Sequence, residues 1–120
     1  MKIIIIKYNA EYEIKEVEKE VKFSFLQKTV DGYVEHAERK IGNGYFDLWV
    51  NEDGIGLELP LTLVTEEEVF FGNVIITKSK GEKIIGLSDT EIESIIKSLH
   101  KENIANEKNT FCFTSNEFEI

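Results

Sequence analysis

Apolar and polar positions alternate along this chain in short runs that spell strands more often than helices. Ile3 to Ile6 is an unbroken block of β-branched residues between Lys2 and Lys7, a pattern that suits a strand buried on both faces. Asn9-Ala10 reads as a turn into Tyr12 and Ile14, which alternate with Glu11, Glu13 and Lys15, so the first two segments are predicted to pair as a hairpin. After the charged stretch from Glu16 to Glu20, Ser24 is placed to cap a short helix carrying Phe25, Leu26 and Val30 inward, with Gly32 closing it past Asp31. Tyr33 to Lys40, Tyr45 to Asn51 and Ile55 to Leu59 then read as a three-strand meander. Gly42-Asn43-Gly44 and Asp53-Gly54 supply its turns, and Pro60 ends it because proline cannot donate to a ladder.

Beyond Pro60, Leu61 to Val64 lead into Glu66-Glu67-Glu68, best placed in a loop, and Phe70 to Thr77 is a β-rich run that Lys80-Gly81 turns back into Lys83 to Ile85. Ser88-Asp89-Thr90-Glu91 has the spacing of a capping box. Ile92, Ile95, Ile96 and Leu99 follow at helical spacing, Glu93 stands four residues before Lys97, and His100 and Lys101 suit the negative end of a helix dipole, so the helix is expected to run to about Asn103. The tail through Phe111 and Phe113 alternates as one more strand would. The expected architecture is α+β: one domain over residues 1–120, mostly antiparallel sheet with a central three-strand meander, and two helices.

With 120 residues, 42% of them hydrophobic, and a single proline, the chain has the makings of one core and not two. Lys+Arg is 14 against Asp+Glu 23, a formal net charge of −9, and Arg39 is the only arginine. That balance argues against direct binding to nucleic acid, which relies on guanidinium contacts to phosphate. Cys112 is the only cysteine, so no intramolecular disulfide forms and a reducing cytoplasm fits best. The isoleucine run near the N-terminus is too short for a signal peptide or a membrane span.

Candidate chemistry is sparse. A nucleophilic enzyme needs a base beside an activated hydroxyl or thiol, and His36 and His100 are the only histidines, neither in a catalytic motif. Cys112, between Phe111 and Phe113, reads as a structural thiol. Glu66, Glu67 and Glu68 lack calcium-loop spacing, and no glycine-rich strand-to-helix loop cradles a phosphate. The expectation is therefore no enzyme, no metal and no cofactor. One strand has a mixed face: alternation puts Tyr45, Asp47 and Trp49 on one side and Phe46, Leu48 and Val50 on the other. The second set is core. The first combines amphipathic rings with a carboxylate, a composition that suits a partner-facing surface as well as a helix-covered sheet.

The strings LQKTVDGYVE (Leu26 to Glu35), NEDG (Asn51 to Gly54), LP (Leu59-Pro60), FGNVIIT (Phe71 to Thr77) and GEKIIGLSDTE (Gly81 to Glu91) resemble, in order, an uncharacterised domain-of-unknown-function family of phages, plasmids and integrated mobile elements. These pieces are turns, caps and core strands, so the resemblance implies a fold and a genomic setting without an active site. The chain departs from the family pattern at Asp31, where a glycine is usual, and at Thr62, where asparagine is frequent after LP.

By analogy, that setting implies a non-enzymatic acidic protein that binds and inhibits host defence machinery in the manner of an anti-CRISPR, competing for a basic nucleic-acid channel. Its expected partner is a basic host protein such as a CRISPR nuclease, with neither nucleic acid nor membrane bound directly and a homodimer left open. The residues expected to carry the contact are Tyr45, Asp47, Trp49, Glu52, Asp53, Glu66, Glu67 and Glu68. The alternatives are a small-ligand binder that sequesters a nucleotide signal near the aromatics of the meander, and an uncharacterised regulatory protein.

Overall fold

The computed structural model describes residues 1–18, 20–42, 44–65, 68–104 and 107–113. The isoleucine block forms β1 (Lys2–Lys7) with Ile3, Ile4, Ile5 and Ile6 all buried, as a strand covered on both faces requires. Asn9 and Ala10 both take positive φ, 69° and 55°, which turns the chain tightly into β2 (Glu11–Glu16), paired antiparallel with β1. β3 (Val34–Ile41) and β4 (Gly44–Asn51) form a second hairpin. β7 (Val74–Lys80) lies between the two hairpins and gives the strand order β2-β1-β7-β4-β3, while β8 (Lys83–Ile85) pairs with β7 outside that path. A second sheet runs β6-β5-β10-β9, built from β5 (Leu61–Val64), β6 (Val69–Phe71), β9 (Leu99–Ile104) and β10 (Glu107–Phe113). Its β5–β10 seam is parallel, and the other pairings among the described strands are antiparallel.

The first sheet separates two cores. On one face Ile4, Ile6, Leu48 and Ile76 pack with Leu63, Phe70 and Phe111 of the second sheet and with Ile92 and Ile95 of α2 (Asp89–Ser98). On the other, Ile3, Ile5 and Ile75 pack with Val21 and with Leu26 and Val30 of α1 (Phe23–Val30). Each such isoleucine or leucine contributes about 1.5–3 kcal/mol on burial. α1 spans only part of its face, so Tyr45, His36 and Glu38 stay exposed on the strands beyond it. The α+β class, the mostly antiparallel sheet and two helices are all present among the described residues.

Four sequence expectations are corrected. The third meander strand does not form: residues 52–58 are turns, closed by Leu57 N–H to Asp53 O (2.9 Å), Glu58 N–H to Ile55 O (3.0 Å) and Leu59 N–H to Gly54 O (2.9 Å). The neighbour of β4 is β7 instead. Ser24 lies inside α1, whose N-cap is Lys22 with no side-chain cap bond; at the other end the αL residue is Asp31 (φ 58°, ψ 51°), not Gly32. The run from Phe70 to Thr77 breaks at Gly72, whose φ of +80° diverts the chain from one sheet to the other. Lastly, α2 stops at Ser98, and His100 and Lys101 belong to β9, because pairing with β10 outweighs local helical preference.

Candidate partner-binding surface

Asp47 was expected on an exposed patch, and the structure corrects this. Its residue is 3% exposed, with His36 Nε2 lying 2.6 Å from Oδ1 and the Ser79 hydroxyl donating to Oδ2. The carboxylate is held between the two donors, so the serine hydrogen is engaged by Asp47 and not by the imidazole. A nucleophilic serine needs the opposite order, with the histidine in the middle. Trp49 is half-buried beside this group. Its Nε1 donates to Thr77 Oγ1 at 2.8 Å, and its ring packs edge-on to Phe23 (centroids 6.4 Å apart) and against His36 (4.7 Å). Of the three predicted residues on this strand face, only Tyr45 projects freely into solvent.

A different end of the molecule assembles a surface from three chain segments. The hub is Asn51, buried at the end of β4. Its Nδ2 donates to the carbonyls of Val30 (3.0 Å) and Asp31 (3.3 Å), and its Oδ1 accepts the Asp53 N–H (2.8 Å). One amide side chain thus ties the C-terminus of α1 to the start of the 52–58 turns. Gly32 permits the approach: a Cβ there would stand 2.7 Å from Asn51 Nδ2. From the third segment, Asn73 Nδ2 donates to Thr29 O (3.1 Å), and Gly72 N–H donates to Pro60 O (2.8 Å).

This framework holds Tyr33, Ile55 and Leu57 outward at 77%, 75% and 56% exposure. Glu52 and Asp53 are exposed among them, and among the described residues no cation pairs with either. Two open concavities flank the segment. One is lined by Gly32, Tyr33, Asn51, Glu52, Asp53 and Leu57. The other shares Glu52 and Asp53 and adds Glu35, Glu68, Ile55 and Val69. Glu68 is half-buried and forms an ion pair with Arg39, so it is not the free carboxylate expected. Glu66 and Glu67 lie outside the described residues. The predicted set therefore divides: Glu52 and Asp53 share a surface, Glu68 borders it, and Tyr45, Asp47 and Trp49 belong to the sheet face that carries α1.

A family model described as a domain of unknown function, DUF3846, matches residues 1–100. The chain belongs to that family. No curated protein and no solved structure matches it.

In this DUF3846 chain, four of the strings quoted above converge on the Asn51 hub. LQKTVDGYVE supplies Val30, Asp31, Gly32 and Tyr33, NEDG supplies Asn51 to Gly54, and Leu59 packs over Gly72, where a Cβ would come 2.7 Å from its Cδ1. Sequence reasoning missed Ile55 and Leu57 because their alternation imitates a strand. The available signal was Asn51-x-Asp53, the spacing at which an asparagine side chain accepts the amide two residues on and starts a turn. Among the described residues no group of three or more His, Cys, Asp or Glu side chains is placed to hold a metal ion, and no helix is long and apolar enough to cross a membrane.

Proposed function

We propose that this protein is a non-enzymatic binding protein that engages a basic protein partner through its acidic surface, and that the partner belongs to host defence machinery whose nucleic-acid channel it occludes. The observation that carries the reading is the juxtaposition of exposed Tyr33, Ile55 and Leu57 with the carboxylates of Glu52 and Asp53, which pair with no cation among the described residues. Exposed rings and aliphatic groups supply contact area at the centre of an interface, and like-signed carboxylates around them steer a cationic partner and repel nucleic acid. The formal charge of −9 with a single arginine agrees with this, and the resemblance to a mobile-element family supplies the setting. A nucleotide-sequestering role fits less well, because the concavity beside Tyr33 offers carboxylates where a phosphate needs donors or cations.

The test is binding to a purified RNA-guided nuclease across a salt series, with DNA as competitor. The reading expects an association rate that falls as salt rises, displacement by DNA, and loss of binding in a Glu52→Lys, Asp53→Lys double variant that melts like the parent. Direct binding of the parent to DNA, or a double variant that binds the nuclease as well as the parent, overturns the acidic-surface mechanism.

A further inference from the structure

Resting on that reading and deepening it, we propose that the concavity between Tyr33 and the Glu52-Asp53 segment is a receptor for an arginine side chain of the partner protein. Tyr33 is the most exposed large hydrophobic residue of the described chain, and an exposed phenol ring beside carboxylates is the environment a guanidinium uses fully. The planar cation stacks on the ring while its fork of N–H donors meets carboxylate oxygens. A lysine ammonium reaches the carboxylates as a point charge and gains less from the ring.

The backbone that carries these side chains is fixed before any partner arrives. Glu52 N–H donates to Tyr33 O at 2.8 Å, so ring and carboxylate share one rung at the start of β3. Asn51 anchors the next residue through its bond from Asp53 N–H and its two bonds to the end of α1. Preorganisation of this kind reduces the ordering cost of binding. Among the described residues, no basic side chain lines the concavity. Among the described residues, five carboxylates elsewhere are paired with cations: Glu13 with Lys7, Asp89 with Lys2, Glu91 with Lys78, Glu93 with Lys97 and Glu68 with Arg39. Leu57 completes the wall and offers an apolar contact to the side chain next to the arginine.

The experiment titrates the full chain with a capped hexa-arginine peptide and, separately, with hexalysine, following backbone amide shifts at near-physiological salt. Shifts are expected to centre on Tyr33, Glu52, Asp53 and Leu57, with the arginine peptide bound about fivefold more tightly than the lysine peptide. A Glu52→Gln, Asp53→Asn double variant should weaken the arginine peptide about tenfold, and Tyr33→Ala should remove the preference for arginine over lysine. A Glu11→Gln, Glu82→Gln control, altering exposed carboxylates elsewhere, should bind as the parent does. The proposal is overturned by equal affinity for the two peptides, by shifts spread over the whole acidic surface, by a carboxamide variant that binds like the parent, or by the absence of any shift. The two readings fail separately. Equal affinity for the two peptides, with nuclease binding still lost in the Glu52→Lys, Asp53→Lys variant, removes the arginine receptor alone, and a mapped arginine site without nuclease binding removes the host-defence reading alone.

Discussion

At the scale of single residues, two side chains set the geometry of the acidic end. Asp31 occupies the αL position that closes α1, with Asp31 N–H donating to Lys28 O and Gly32 N–H to Gln27 O, the bond pattern of a Schellman ending. Residues with a Cβ are disfavoured there, aspartate less than most. Asp31→Gly is therefore expected to raise stability by about 0.5–1 kcal/mol, measured by denaturant unfolding. Asn51→Ala leaves two carbonyls and one N–H without their partner and is expected to cost about 2–3 kcal/mol, with accelerated hydrogen exchange through residues 52–58. That α1 ends near position 32 was legible, but not that Asp31 rather than Gly32 takes the αL position. The closer constraint on Gly32, the approach of Asn51 from another strand, was not legible either, because nothing local announces which side chain will arrive from 19 positions away.

Among elements, α2 was the most legible. Ser88 accepts the Glu91 N–H at 3.2 Å and Glu91 Oε1 accepts the Ser88 N–H at 2.9 Å, which completes the capping box, and Ile92 and Ile95 are buried as their spacing required. Ser88→Ala is expected to cost about 1 kcal/mol in a thermal or denaturant melt. Ile95→Asp is expected to abolish the cooperative transition, since it buries an unpaired charge in the larger core. Where the helix would stop was not legible. Leu99 to Lys101 keep apolar and basic residues where a helix would accept them, and only the arrival of β10 across the second sheet makes them a strand. The 52–58 segment failed the other way: Ile55 and Leu57 alternate convincingly, but the paired edge of β4 is already taken by β7, so the segment has no ladder to join and closes on itself.

For the molecule as a whole, the acidic composition makes stability depend on pH in a definite direction. The hydrogen bond from Lys7, reinforced by its charge, lowers the Glu13 pKa below the ordinary glutamate value. For Glu91, burial opposes ionisation, but the bonds from Lys78 and from the Ser88 amide and hydroxyl outweigh it, and the net shift is again downward. Groups whose pKa is depressed on folding contribute stability that is full above the unfolded-state value and fades as pH falls through the folded one. Unfolding free energy is thus expected to hold steady from neutral pH down to the ordinary glutamate range and to decline below it. Lys78→Met should flatten part of that decline, and denaturant melts across an acid series measure it. Class and overall composition were legible at this scale. The splitting of strands into two sheets was not, because the break rests on one positive φ at Gly72.

The parallel seam between β5 and β10 has a temporal consequence. It joins Leu63 to Phe111 and Val64 to Cys112, partners separated by 48 residues, whereas β5 meets its other neighbour, β6, through partners as near in sequence as Val64 and Val69. During synthesis β5 leaves the ribosome with one flank satisfied early and the other vacant until β10 has emerged. Closing so long a loop is entropically slow, and in that interval the vacant flank is a template for any extended strand nearby. The order of emergence thus makes the β9–β10 pair the latch of the fold: the step that sets how fast folding finishes is also the one that ends exposure to intermolecular pairing.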